Sequence, residues 1–425
     1  MNRQEYVDLL AEQIRNRRAR QAVTEEIKSH LNDQIAAYKS EGMSDAEAEL
    51  AAVQDMGDPV EAGASLDMIH KPKMEWKFFA FVIFLSALSV FFAWNVSGYV
   101  NQIFYSGLGI LCMTIICCVD YTVWSRFYKY LGVLFLLFMI VEVFFAGIKM
   151  NGAVMWASAG PVTISLWSVM YLFPPIYGAI LFANKGGGYK ALLKCIVVLL
   201  IPVWTAFCMP SLSLAVSILL ILLVMLTAAL AKGWFCVRKR VCLFGVWGCL
   251  LGLPIAVFQI IYFTGRFSGY QMDRLRGYTQ FTSSNFANII SQSAAGKMNF
   301  TMSADYLITY LIQYYGVIAG AAVIALLAFL IFRIFRIAAN QPNQLGQMIG
   351  LGCGLVLAVQ FAGYVMMNFG LIPDTTVYLP LFSIGGASTI VGYSLIGIVM
   401  SIYRYQNIPG VKQPGHRRKN SSIKQ

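Results

Sequence analysis

Charge is scarce in this sequence. Only 12% of its 425 residues are Asp, Glu, Lys or Arg, against 58% hydrophobic and a mean hydropathy of +0.65. A soluble domain carries about 25% charge, so composition alone places the chain in a membrane. Acid is scarcest of all beyond the first 75 residues. Of 20 Asp and Glu, 15 lie before position 76, and only Asp120, Glu142, Asp273, Asp305 and Asp374 follow. Any general acid, base or coupling carboxylate in the apolar region comes from those five.

Histidine is nearly missing: His30, His70 and His416 each lie in a charged segment without a Cys or His at ligand spacing, so no zinc site is expected. The nine cysteines, among them Cys112, Cys117, Cys118, Cys242, Cys249 and Cys353, fall mostly in apolar runs and read as small buried side chains rather than disulfides or metal ligands. The first residues, MNRQEYVDLLAEQIRNRRARQ, lack the apolar core of a cleaved signal peptide. NKGGGYK at 184–190 lacks the spacing of a phosphate-binding loop and reads as an inner turn. No cofactor is expected, with a divalent cation left open. No nucleic acid partner is expected either, because Glu12, Glu25 and Glu26 nearly balance Arg15, Arg17, Arg18 and Arg20, which makes that run a solvated helix face.

What is present divides the chain into a cytoplasmic helical domain at 1–73, a membrane region at 77–405 and a basic tail at 406–425. In the first, Val23, Ile27, Leu31 and Ile35 form one apolar stripe at four-residue spacing. Ser44-Asp-Ala-Glu47 is a capping box, Asp58-Pro59-Val-Glu61 repeats it with Pro at the first helical position, and Gly42 and Gly57 stand where helices stop.

From Trp76 onward, ten apolar runs are long enough to cross a hydrocarbon core of ~30 Å. They cover about 77–96, 103–120, 128–147, 163–184, 190–208, 211–231, 242–264, 306–332, 347–369 and 379–403. The fold class is therefore all-α, a polytopic helical bundle. With residues 1–73 inside, the inner loops and tail hold 17 Lys and Arg and the outer loops hold only Lys149, Arg266, Arg274, Arg276 and Lys297. Both termini then lie in the cytoplasm.

Asp273, Asp305 and Asp374 fall on the outer side, and Glu142 lies inside the outer end of the third span, where an acid is by default functional. Arg266, Arg274 and Arg276 share one outer loop of about forty residues, too long for a mere turn. Guanidinium groups at a membrane surface suit phosphate or pyrophosphate. Each residue also has a plainer reading: Asp305 as a helix cap, the arginines as partners of Asp273 or of head groups, and Glu142 as a hydrogen-bond partner across the bundle. Gly316 and Gly320 read as close helix packing, and Pro174-Pro175, Pro202 and Pro254 as kinks.

The stretch GLIPDTTVYLPLFSIGGAST, Gly370 to Thr389, is rich in Gly, Pro, Ser and Thr between two apolar runs. Gln360, Asn368, Gly370, Leu371, Pro373, Thr375, Leu379-Pro380, Ser383, Gly385-Gly386 and Ser388 resemble, without a gap, the pattern of the SEDS family of FtsW, RodA and SpoVE. Asn151-Gly152-Ala153, Trp156 and Gly160-Pro161 resemble a second family motif, with Met155 where the family has Arg. Gly269-Tyr270-Gln271 with Arg274, Gln292-Ser293 and Ala304-Asp305-Tyr306 resemble a third. The likeness runs from about 77 to 405, while residues 1–70 resemble the HAAS or permease-prefix domain, a regulatory helical module.

The resemblance implies a glycosyltransferase that polymerises lipid II, the undecaprenyl-pyrophosphate-linked disaccharide precursor of peptidoglycan, at the outer membrane face. A class B penicillin-binding protein would be its partner, and the setting cell shape, division or sporulation. Asp305 would be the catalytic carboxylate, with Arg266, Arg274, Arg276, Gln271 and Trp156 on the pyrophosphate and sugars. Gln360, Asn368, Pro373, Pro380, Ser383, Gly385, Gly386 and Ser388 would wall the cavity, and Glu142 is a further intramembrane acid. After Gly160-Pro161 the family continues with an intramembrane Glu and Lys, whereas this chain has Ser165, Leu166, Trp167, Ser168 and Tyr171, and Gln313-Tyr314 stands in the region of a family Glu pair. These departures leave a lipid II flippase or a non-catalytic scaffold as the alternative. Ion-coupled transport is disfavoured, because Glu142 is the only acid inside a span.

Overall fold

The computed structural model describes residues 1–97, 101–150, 153–159, 162–209, 211–264, 306–372, 377–383 and 385–407. The chain forms two compact units, with boundaries after Met74 and after Ile402.

The first unit is built from four capped helices. Asn2 opens α1 (Arg3–Gln13) with a reciprocal Asn2–Glu5 box, a device absent from the sequence reading. Asn16 opens α2 (Arg17–Ser40) by accepting from the amides of Arg18 and Ala19. The Ser44–Glu47 box opens α3 (Asp45–Asp55), as expected, and Asp58 accepts from Val60 N to open α4 (Pro59–His70). Gly42 and Gly57 take φ of +99° and +73° at the ends of α2 and α3, conformations that cost a residue with Cβ. The stripe of α2 faces a core of Tyr6, Leu10, Ile14, Val23, Leu31 and Ala52, with Ile27 and Ile35 at its edge. Two cations of the basic run are tied into this fold: Arg15 lies 3.7 Å from Asp67, and Arg20 Nε donates to Ile14 O at 2.9 Å.

In the second unit, ten helices among the described residues are long and apolar enough to cross a membrane: Trp76–Asn95, Asn101–Cys118, Arg126–Ala146, Leu166–Ala183, Gly188–Cys208, Leu212–Ala231, Lys239–Ala256, Val317–Ala339, Gln344–Asn368 and Gly386–Arg404. In chain order the elements here are α5 (Trp76–Ser97), α6 (Asn101–Cys118), α7 (Val123–Val141), β1 (Ile148–Met150), β2 (Ala153–Ala159) and β3 (Val162–Ser165). The helices α8 (Leu166–Met170), α9 (Phe173–Ala183), α10 (Gly188–Cys208), α11 (Leu212–Ala231), α12 (Lys239–Trp247) and α13 (Leu253–Phe263) follow. After residues 265–306 come α14 (Leu307–Tyr315), α15 (Val317–Ala339), α16 (Gln344–Asn368) and α17 (Gly386–Arg404).

Three differences from the sequence expectation have physical causes. The run 306–332 is not one helix: Gly316, at φ +85° and ψ 167°, separates the nine-residue α14 from the spanning α15. That conformation is open essentially to glycine alone, so the residue read as a packing site is a hinge in the backbone. Gly320 does pack closely, since a Cβ there would lie 2.5 Å from Ile312 Cγ1. The last span begins at Gly386 rather than 379, because Leu381 takes φ +66° within a tight turn. Finally, 148–165 adds a small three-stranded antiparallel sheet in the order β1-β2-β3, which the all-α reading did not anticipate.

Helix contacts depend on small residues, as expected where lipid supplies no hydrophobic drive between helices. At the α9–α16 crossing the approach is reciprocal. A Cβ on Gly178 would meet Met348 C and O at 3.1 Å, and one on Gly352 would meet Pro174 C and O at 3.1 Å. Pro174 and Pro175 sit in the first turn of α9, where missing amides cost nothing, whereas Pro202 lies inside α10. Pro254 follows a π-helical turn at Gly248–Gly252. A part-buried ion pair joins Glu75 to Arg333.

Candidate functional site

Three segments meet at one end of the spanning unit: the last turns of α16, the turn at 377–383, and the start of α14. What joins them is a polar column on one face of α16. Gln360, Tyr364 and Asn368 recur every four residues, which stacks them on one face of a helix. All three are buried in an otherwise apolar run.

Each member accepts a backbone amide from a neighbouring element. Gln360 Oε1 accepts from Tyr378 N at 3.0 Å, Tyr364 OH accepts from Leu307 N at 2.9 Å, and Asn368 Oδ1 accepts from Thr309 N at 3.1 Å. Thr309 Oγ1 donates to the Asn368 carbonyl at 3.2 Å, and Asn368 Nδ2 donates to Tyr364 O at 3.0 Å, which orients the carboxamide. Irregular backbone at membrane depth must be satisfied by protein, and this column supplies the partners.

The turn at 377–383 satisfies itself in the same way. Ser383 Oγ accepts from Leu379 N at 2.6 Å, while Leu379 O accepts from Ser383 N at 2.9 Å and from Phe382 N at 3.1 Å. Pro380 sits inside this closed loop, and Ser89 of α5 donates to Leu381 O at 2.7 Å. Ser388 Oγ donates to Gly385 O at 3.4 Å. Gly386 is small by necessity, since a Cβ there would lie 2.6 Å from Tyr105 Cε1. Thus Gln360, Asn368, Pro380, Ser383, Gly385, Gly386 and Ser388 are brought together at this end. Their roles are to fix backbone and allow close approach, and Pro373 lies outside the described residues.

Aromatic rings close the periphery. Tyr378 packs against Trp167 at 5.9 Å and Tyr171 at 5.8 Å between centroids, and Phe92 touches both Phe382 and Tyr315. The positions Ser165 to Tyr171, which replace a Glu and a Lys of the family pattern, are thus filled by a buried neutral cluster. Ser168 Oγ donates to Ser165 Oγ at 3.3 Å, while the Tyr378 hydroxyl is buried without a hydrogen-bond partner among the described residues.

Trp156 is half-buried in the middle strand, opposite Ile148 on one side and Ser165 on the other. Glu142 opens a π-helical turn, Glu142–Ala146, that packs on β2, and its Oε2 is buried without a partner among the described residues. Single π turns are frequent at functional sites. Asp305, Arg266, Arg274, Arg276 and Gln271 lie outside the described residues. No group of three His, Cys, Asp or Glu among the described residues could hold a metal ion. Sequence reasoning missed Tyr364, Thr309 and Ser89; the four-residue spacing of Gln360, Tyr364 and Asn368 was the available signal.

A family model described as "cell cycle protein", that of FtsW, RodA and SpoVE, matches residues 72–408. This chain belongs to that family. Among its relatives is stage V sporulation protein E of Bacillus subtilis, 26% identical over 317 residues that cover 72% of this chain and 86% of the relative. A protein named probable peptidoglycan glycosyltransferase FtsW from Idiomarina loihiensis is 23% identical over 291 residues, covering 65% and 71%. The fold resembles a chain from a peptidoglycan synthase complex described as coordinating polymerization and crosslinking, with a TM-score of 0.66 and 21% identity over 78% of this chain and 99% of that one. It also resembles the rod shape determining protein RodA of Thermus thermophilus, with a TM-score of 0.56 and 19% identity over 78% and 97%. A multi-pass membrane protein of the FtsW, RodA and SpoVE type accounts for the ten helices and for the motif around Gly370.

Proposed function

We propose that this chain is a peptidoglycan glycosyltransferase that polymerises lipid II at the outer membrane face, with its termini in the cytoplasm. Family membership over 72–408 carries this reading, together with relatives named for the activity. The surplus of Lys and Arg on the inner loops supports the orientation. In the proposed reaction Asp305 takes the proton of the acceptor sugar hydroxyl as its oxygen attacks the anomeric carbon of the donor. The bond from that carbon to the lipid pyrophosphate breaks, and Arg266, Arg274 and Arg276 stabilise the charge that develops on the leaving group. Trp156 and Gln271 are assigned to the sugars, a class B penicillin-binding protein to the partner, and residues 1–73 to regulation.

A second reading, a non-catalytic scaffold or lipid flippase, is favoured by one observation. The stretch Ser165 to Tyr171 is neutral and packed where the family pattern carries charge. The two are separated by giving purified protein labelled lipid-linked precursor, alone and with its penicillin-binding protein, with and without a metal chelator. Polymer from the native chain and none from Asp305→Asn is the expected result. No polymer from either, with equal rescue of a cell-shape defect, establishes the scaffold.

A further inference from the structure

We propose that the first unit binds a phosphate ester of a small polyol in a cationic groove between the end of α1 and one face of α2. The groove lies wholly within residues 1–73, so it stands whether or not the chain polymerises lipid II.

Along the sequence, the cations at 15–20 are nearly matched by Glu12, Glu25 and Glu26, which makes the run look solvated and neutral. The fold separates the signs. A cavity of about 620 Å³ opens beside α2, and Arg15, Arg17, Arg20 and Lys28 line it with Glu25 as its only carboxylate. Glu12 and Glu26 are not part of that lining, and Glu26 lies 4.0 Å from His30 along the helix. Asp67 approaches Arg15 at 3.7 Å, but the Arg15 side chain is 85% exposed, and so open a pair holds weakly. Even with Asp67 counted, two positive charges remain in excess.

The cations are also placed for use. Arg20 Nε donates to Ile14 O at 2.9 Å, and this neutral acceptor orients the guanidinium without cancelling its charge. Arg17 and Lys28 form no side-chain hydrogen bond or ion pair among the described residues. Arg17, Gln21, Thr24 and Lys28 recur every three or four residues, which sets them in a row on one face of α2.

The lining selects the ligand. Three arginines fall between positions 15 and 20, and the guanidinium fork matches the oxygens of a phosphoryl group. From Arg17 to Lys28 the row runs about 16 Å at 1.5 Å per residue, with the amide of Gln21 and the hydroxyl of Thr24 between. A phosphoryl group at the arginine end therefore leaves polar partners for hydroxyls beyond it. The only apolar lining residue is Ala11, and no aromatic ring lines the groove to stack a nucleobase. Glycerol phosphate has the required chemistry, either as a soluble ester or as the head group of phosphatidylglycerol.

The test uses the full-length chain in nanodiscs. In one arm the discs are phosphatidylcholine and glycerol 3-phosphate is titrated in; in the other, phosphatidylglycerol replaces part of the lipid. Both are read as protection of Arg20 from phenylglyoxal, by mass spectrometry of its peptide. Concentration-dependent protection is expected, and the arm that shows it names the source. Arg17→Gln with Lys28→Gln is expected to weaken binding about tenfold or more, since a hydrogen bond to a charged group is worth about that factor. Lys71→Gln with Lys73→Gln removes the same charge outside the groove and is expected to stay within about twofold of the native chain. Glu25→Gln removes the only carboxylate of the lining and is expected to tighten binding several-fold, a change that misfolding does not produce.

No protection of Arg20 in either arm overturns the proposal. So does equal weakening by the groove pair and the control pair, which reports net charge alone. Protection by triglutamate at the same concentrations also overturns it, because the groove then takes any acidic chain. None of these readouts needs polymer synthesis, so this proposal and the glycosyltransferase reading fail separately.

Discussion

Replacing Gly178 by Ala tests how closely α9 and α16 must approach. The new Cβ would lie 3.1 Å from the Met348 carbonyl carbon and oxygen and 3.2 Å from Ile349 Cα. These are backbone atoms, which cannot rotate away. To reach an ordinary contact of 3.4 Å, the helices must part by a few tenths of an ångström. Overpacking of this kind costs about 1–3 kcal/mol. Set against it is the preference of a helix for Ala over Gly, about 1 kcal/mol in water. Gly107 isolates that second effect: it lies on an exposed face of α6, and a Cβ there meets nothing within 4 Å. Subtracting the Gly107→Ala result from the Gly178→Ala result cancels the propensity, leaving a destabilisation of about 1–3 kcal/mol from the crossing alone. The assay is equilibrium unfolding in mixed micelles, with SDS mole fraction as the denaturant and tryptophan fluorescence as the probe. The expected outcome is a lower midpoint for Gly178→Ala and an equal or higher one for Gly107→Ala. Equal midpoints for the two variants refute the close crossing.

Two further predictions follow from local geometry. Gly316→Ala is expected to destabilise by about 1–3 kcal/mol, because φ +85° with ψ 167° is strained for any residue with a Cβ; an uninterrupted helix through 306–332 would instead gain from the change, so the sign of the shift in melting midpoint decides. In the first unit, Glu47 accepts from Ser44 Oγ at 2.6 Å and Ser44 N at 3.1 Å, and the Ser44 hydroxyl followed by its amide holds the carboxyl below its usual value. Because the folded value is depressed, this cap stabilises α3 above the ordinary carboxylate range and is lost as pH falls through the folded value. NMR titration of labelled Glu47 is expected to move toward the ordinary value in Ser44→Ala, and an unmoved titration refutes the cap.

The spans were legible because each must be long and apolar in its own right, and seven of the ten start and end close to where the sequence places them. The eighth was not, since Gly316 and Gly320 have the spacing of a packing motif and nothing local says that one of them reverses the backbone. The tight turn at 377–383 shows the same limit. Its Pro, Ser and Gly residues mark irregular chain, but the bond between Ser89 and Leu381 joins residues almost three hundred positions apart. The small sheet was hidden because Ala153–Ala159 is too short and too mixed to separate from a loop by periodicity.

The sequence by itself determined the membrane class, the ten apolar runs, the N-cap residues of α3 and α4 and the family motif around Gly370. Those features are set by residue type and by spacing within a single element, so they can be read without knowing what lies opposite. Only the tertiary structure decided what Gln360, Tyr364 and Asn368 do. A buried amide or phenol in a span must find a partner, and which partner it finds depends on how the helices cross. Here the partners are the free amides of α14 and of the 377–383 turn, so the polar face of α16 holds in place two segments that would otherwise leave unsatisfied backbone within the bundle.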